Sequence, residues 1–511
     1  MVGVKSRRED LRPIVTKSIK KKITEDEVED ERVGEGNEQP LSPASRLFHE
    51  PHFNCYILAI MGCTKRVDPD IVKAGLETTL LRHPTFSSIQ VVSDGKTGEM
   101  SWIRVKVDLE KHVIVPEIEQ GMDSHEQFVE HYISNLSRTT IDTSRPLWDL
   151  HILNVKTSEA ESVSIFRIHH SLGDGTSLMS LLLACTRRTD DPEALPTVPT
   201  QKKRVVQTRT GGFSRPFLAL WELFLLIWNT MVDVLMFIAT LMFLKDTETP
   251  LKGPPGVEFT PKRFVHRTVS LDDIKFIKNS LNMTINDVAL GITQAGLSRY
   301  LNRRYCEEKL DKGATEKKNN LPKKIRLRAA LLVNIRPSPG IQALADMMEK
   351  DKTDAKWGNC YGYVLLPFRI ALRNDPLDYV REAKATIDRK KHSYEAIYSY
   401  SGSDLTVKLF GFKVASALCY KVMSRTTMSF TNLVGPVEEI CFYGHPLAFL
   451  APSVYGHPHA LTINYQSYMN KMTFVLAIDP DVIPDPQQLC SDLEESLKLI
   501  KNTIISKAMR T

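Results

Sequence analysis

Two adjacent imidazoles, His169 and His170, close a β-rich run from Val163 to Ile168, and Asp174 follows in the string SVSIFRIHHSLGDGTSLM. A neutral imidazole, with an ordinary pKa near 6.5, can take a proton from a hydroxyl as that oxygen attacks a carbonyl, so acyl transfer can proceed with no serine nucleophile. A carboxylate just ahead of a helix is favoured by the positive end of the helix dipole. No third His, Cys or carboxylate stands nearby at ligand spacing, which argues against reading the pair as a metal site.

The elements around these residues follow from the same string. Ser171, Leu172 and Gly173 turn the chain after the strand, and Thr176 or Ser177 is expected to cap a helix running through Cys185. Strand, polar turn and helix together place an imidazole at a strand end, a common active-site arrangement. Elsewhere, Thr284 or Asn286 is expected to cap a helix from Val288, and LLVNIRP brings Arg336 to a strand end where it could pair with Asp174 or meet a phosphate. His457 and His459 lie beside a probable strand and read as structural or rim residues, while Asn432 and Gly435 suggest close backbone approach.

The spacing of His169, His170, Asp174 and Gly175 matches the HHxxxDG motif, and with it the sequence resembles the acyl-CoA-dependent acyltransferases related to chloramphenicol acetyltransferase and the condensation enzymes. More narrowly it is similar to the plant-type bifunctional wax ester synthases/diacylglycerol acyltransferases, through PLSPASRLF, RPLWDLHIL, TINDVALGI, LLVNIRP, WGNCYGYVLLP and SFTNLVGP, in that order from residue 40 onward. The resemblance implies an α/β fold of two similar domains facing one another across a central tunnel, with His170 as general base, His169 as its partner and Asp174 holding the loop by pairing with an arginine. It implies acyl-CoA as co-substrate, no cofactor and no metal. The DFGWG segment of plant acyltransferases that use soluble phenolic acceptors is missing, which argues against that acceptor class.

The 511-residue chain has 42% apolar residues, ample for large cores, and 67 Lys plus Arg against 61 Asp plus Glu, too small an excess for a nucleic-acid binder. Its eight cysteines include no C-x-x-C pair, so neither a zinc knuckle nor a disulfide framework is spelled out. Residues 1–39 read as a charged, disordered leader with no cleavable signal. The first acyltransferase domain is expected over 40–190, a basic loop and apolar helix over 191–255, and the second domain over 256–511.

Residues 302–324, rich in Lys, Glu and Asn, are expected to form an exposed loop. Residues 216–244 form one apolar helix, long enough at 1.5 Å per residue to cross a bilayer core of roughly 30 Å. Yet Glu222, Asn229, Asp233 and Thr240 fall within about 20° of a single line along it. A crossing would send His170 and Arg336 to opposite sides of the membrane, so the helix is expected to lie in one leaflet with its polar stripe towards protein or water.

These readings converge on an endoplasmic reticulum membrane protein with its active site facing the cytosol, the plasma membrane being a second location. It would move a fatty acyl group from acyl-CoA to a long-chain fatty alcohol or diacylglycerol, with membrane lipid as a partner and no nucleic acid. The alternatives are a non-catalytic lipid-binding scaffold and an acyltransferase for a soluble alcohol.

Overall fold

A computed structural model of the chain describes residues 39–92, 100–117, 124–199, 215–309, 315–336, 340–350 and 357–510. The leader before residue 39 and the basic residues 200–214 lie outside that set. Among the described residues two large mixed sheets form the body.

The first sheet has seven strands, in the order Val113–Ile114, Trp148–Leu153, Ser162–His169, Tyr56–Cys63, His445–Tyr455, Ile440–Phe442 and Thr186–Arg188. Its central strands carry side chains that are buried on both faces, as expected of strands covered on either side. The second sheet has six strands, in the order Tyr361–Phe368, Leu327–Asn334, Met428–Leu433, Leu461–Tyr468, Lys471–Ile478 and Arg263–Ser270. Helices Ile285–Glu307, Leu377–Lys391 and Pro486–Ala508 pack with it into one apolar core. The expected α/β class is therefore observed, but sheet membership does not follow the chain in two blocks. Residues 440–455 cross over and complete the first sheet, with Tyr455 registered against Tyr56. This hydrogen-bonded exchange ties the two halves together.

Several local expectations are corrected. Thr284 does cap its helix, in a reciprocal box with Asp287, but the helix starts at Ile285, and Asn286 lies inside it and bonds Asn432. That helix continues to Glu307, and Asn302 and Asn320 bury their polar groups against one another, so 302–324 is not an open loop throughout. Gly435 holds its place because a Cβ there would fall 2.1 Å from the carbonyl oxygen of Ser467.

The apolar segment forms a helix from Arg215 to Met242. Trp221, Leu223, Phe224, Ile227 and Trp228 are exposed, and so is Glu222, while Asp233 and Thr240 are buried against the body. Asp233 pairs with Arg389 at 2.6 Å and Lys390 at 3.0 Å, and Lys390 also meets Glu395 at 2.5 Å. Thr230 accepts from the Tyr394 amide at 3.0 Å. Thr240 accepts from Arg328 at 2.5 Å, and the same guanidinium pairs with Asp246 just past the helix. One face of the C-terminal half of the helix is thus fastened to the second half of the molecule, while its N-terminal half stands exposed.

Candidate active site

His169 ends the strand beside the central one of the first sheet, and His170 opens a short 3-10 turn. Their backbone amides donate to Leu147 and Cys55, both at 2.9 Å, so neighbouring strands on each side fix the strand end. The Leu147 carbonyl comes from RPLWDLHIL, whose Trp148 is fully buried with its indole donating to Phe86 at 2.8 Å. Beneath it Arg167 and Asp149 form a buried bidentate pair at 2.9 and 2.6 Å, which holds two of the strands in register.

The two histidines have different surroundings. His169 is engaged at both ring nitrogens: Nδ1 meets the Ser171 hydroxyl at 2.7 Å, itself bonded by Gln90, and Nε2 meets Asn54 Oδ1 at 3.1 Å. Burial, with its neighbours His49 and His170, pushes its pKa well below the usual range. Neither of its ring nitrogens is left without a partner. His170 Nδ1, by contrast, is buried without a hydrogen-bond partner. Its ring stacks on Phe48 with centroids 4.1 Å apart, and Tyr361 presents an edge at 6.4 Å. Burial lowers its pKa to about 4, against the opposing pull of its own backbone, the Asp174 charge and Asn359. His170 is therefore neutral near pH 7, with one ring nitrogen left unpaired.

Asp174, not Thr176 or Ser177, caps the helix Gly175–Ala184: its Oδ1 accepts from the Ser177 amide and the Thr176 hydroxyl, both at 2.8 Å. Asp174 has the extended backbone of an N-cap (φ −77°, ψ 160°) and the helix already begins at Gly175, so the two hydroxyls that follow lie inside its first turn. Its Oδ2 lies 3.8 Å from Arg336, the arginine expected to reach it. Arg336 also donates to the carbonyls of Trp357 and Gly358, at 3.0 and 2.5 Å, so it is held in place by the strand-end loop and faces the cap rather than solvent.

Asn359 and Phe48 are functional neighbours that the motif alone did not reveal. The Asn359 amide donates to the His170 carbonyl at 2.8 Å and to Ser45 at 3.1 Å, bracing the turn from the second half of the chain. Trp357 donates to the Leu172 carbonyl at 2.7 Å, and Gly173 makes room for it, since a Cβ there would press on the indole at 3.0 Å. Asn334 donates to Thr176 at 2.8 Å. All belong to the short segments PLSPASRLF, LLVNIRP and WGNCYGYVLLP, so proximity to the turn is what those segments share. His457 and His459 are buried away from solvent, bonded to Thr462 and Thr426.

A neutral, buried imidazole on a strand end, braced from both halves of a two-sheet α/β body, fits the acyl-transfer chemistry expected of the HHxxxDG motif. Family models agree: residues 64–289 match the wax ester synthase/diacylglycerol acyltransferase catalytic domain, and residues 357–501 match the WS/DGAT C-terminal domain. The chain is 53% identical to wax ester synthase/diacylglycerol acyltransferase 11 of Arabidopsis thaliana, over 92% of this chain and 96% of that protein. In fold it is similar to the wax ester synthase/diacylglycerol acyltransferase from Marinobacter aquaeolei VT8, at a TM-score of 0.56 and 17% identity, covering 91% and 100% of the two chains. It is also similar to the first condensation domain of the CDA synthetase, at 0.52 and 13% identity, covering 92% and 97%. The chain belongs to the wax ester synthase/diacylglycerol acyltransferase family, and it is an acyltransferase.

Proposed function

We propose that this enzyme transfers a fatty acyl group from acyl-CoA to a long-chain alcohol or diacylglycerol, with His170 as general base and no covalent acyl-enzyme. His170 would take the acceptor's hydroxyl proton as that oxygen attacks the thioester carbonyl, and would return it to the departing CoA sulfur. One observation carries this reading: the neutral, buried His170 ring with a free nitrogen, stacked on Phe48 and braced by Asn359. Asp174 and His169 act through the turn's shape. No cofactor is required; acyl-CoA is a co-substrate.

The long helix is read as lying in the cytosolic leaflet of the endoplasmic reticulum, with the plasma membrane as a second location. Among the described residues it is the one helix long and apolar enough to cross a membrane, yet Thr230, Asp233 and Thr240 are tied to the body along one face. A crossing would break a buried ion pair and drag the attached helices into hydrocarbon. Incubating the full chain in phosphatidylcholine vesicles with labelled palmitoyl-CoA and a mixture of hexadecanol, diacylglycerol and a phenolic alcohol tests the activity. Labelled wax ester or triacylglycerol is expected; label only on the phenolic alcohol, or on none, would overturn the reading.

A further inference from the structure

The helical hairpin Glu395–Phe410 and Phe412–Met423 packs beside the long apolar helix and has an apolar exterior of its own. Ile397, Tyr398, Leu405, Leu409, Phe410 and Val414 are exposed on it, with Phe410 at 67% and Leu409 at 64%. Large apolar side chains exposed to this degree on one hairpin mark a contact surface. Lys408 and Lys413, both exposed, flank the tip.

Beneath the hairpin lies a cavity of about 90 Å³. Its outer lining is Ser403, Val407 and Phe412 from the hairpin; its inner lining is Leu47, Asn359 and Tyr361. Asn359 bonds the His170 carbonyl, and Tyr361 faces the His170 ring edge-on. One apolar cluster connects the same parts: Phe237 and Leu241 of the long helix, Phe412 and Tyr420 of the hairpin, Tyr361, and Phe48, on which His170 stacks. Apolar contact therefore runs unbroken from the exposed helices to the base.

Charge decides which substrate this path suits. The one carboxylate among the described residues lining the cavity is Asp404, itself paired with Lys408 at 2.7 Å. The polyanionic phosphates of a CoA thioester would have to compete with Asp404 for Lys408 there, whereas an uncharged hydrocarbon chain meets Val407, Phe412, Leu47 and tyrosine rings. We infer that the Glu395–Met423 hairpin docks on the lipid surface beside the long helix, and that the cavity it covers is the entry and chain-binding subsite for the uncharged lipid acceptor. The acyl-CoA reaches His170 by another route. This rests on the acyltransferase reading above and names the acceptor's side of the same site.

The test reads the parent protein's ester formation first, so failure of the acyltransferase reading appears there, apart from the variants. Ala415→Trp fills the cavity from the hairpin, and Ser403→Trp narrows its exposed mouth with little demand on folding; melting curves check that both fold. Each is expected to raise the KM for hexadecanol by about tenfold or more, the scale on which a pocket discriminates chain volume, and to raise it more than the KM for palmitoyl-CoA. In a second arm, Leu409→Glu with Phe410→Glu is expected to cut co-sedimentation with phosphatidylcholine vesicles. It should also lower turnover of vesicle-borne hexadecanol by about fivefold relative to detergent-dispersed hexadecanol. A rise confined to the KM for palmitoyl-CoA would assign the cavity to the donor and overturn the proposal. So would unchanged constants in both tryptophan variants, or undiminished vesicle binding by the glutamate variant.

Discussion

Replacing Asp174 by alanine and by asparagine separates two jobs of one carboxylate. Oδ1 caps the Gly175–Ala184 helix through Ser177 and Thr176, and Oδ2 supplies charge opposite Arg336 at 3.8 Å. Alanine removes both, and loss of a cap costs about 0.5–2 kcal/mol. Loss of the charge at the helix N-terminus adds about 0.3–1 kcal/mol. Asparagine is as good a cap as aspartate, so it should lose only the second contribution. The 3.8 Å separation makes the ion pair the lesser part of either. At about 2–4 °C per kcal/mol for a unit of a couple of hundred residues, alanine is expected to lower the melting temperature of the detergent-solubilised protein by roughly 2–12 °C, and asparagine by less than half as much. Turnover should fall in the same order, because the turn carries His170. The acid limb of the pH–rate profile should persist in both variants. An asparagine variant as unstable as alanine would refute the capping argument. One with parental stability but no acid limb would show that Asp174 itself titrates in the reaction.

Further outcomes follow from the same geometry. His169→Ala takes one partner from the buried Ser171 hydroxyl, which keeps its bond from Gln90, and one from half-buried Asn54, at a cost of about 1–3 kcal/mol, so it should lower the melting temperature more than His170→Ala while lowering turnover less; the reverse ranking in paired melts and assays would count against the assigned roles. Gly362→Ala should loosen the hairpin, since its Cβ would fall 1.8 Å from the Ala396 carbonyl oxygen, and faster proteolysis within 395–423 is the readout. Burial lowers the pKa of His49 and His170 to about 4 and of His83 and His459 to about 3. The unfolded chain therefore binds protons first as pH falls below about 6.5, and stability should drop from there to about pH 4, by about 3 kcal/mol at most for each group near 4; a flat melting temperature from pH 7 to 4.5 would contradict this. In sealed microsomes, a C-terminal tag should be open to added protease, and protection or glycosylation of that tag would establish a crossing.

What the sequence disclosed was mainly local. The strand, turn and helix around His170 are written in consecutive residues, and so is the single polar line on the long helix. The cap went to Asp174 because the helix begins at Gly175, a boundary that the near-equal capping preferences of Asp, Ser and Thr left open. Asn359 braces a carbonyl 189 positions away, and no spacing rule reaches that far. The crossing of residues 440–455 into the first sheet was hidden for the same reason, since strand pairing is decided by the completed sheet. Arg336 was nameable as a partner for Asp174, but its carbonyl contacts at Trp357 and Gly358 needed the folded loop.

The central claim is that the neutral His170 ring takes the acceptor's proton. Its most direct test is turnover of His170→Ala against the parent, at equal amounts of folded protein in the same vesicles, with labelled palmitoyl-CoA and hexadecanol. The account expects turnover to fall by roughly 10²–10⁴, the usual contribution of a general base, with the melting temperature near the parent's. Wax ester formation within tenfold of the parent would contradict it.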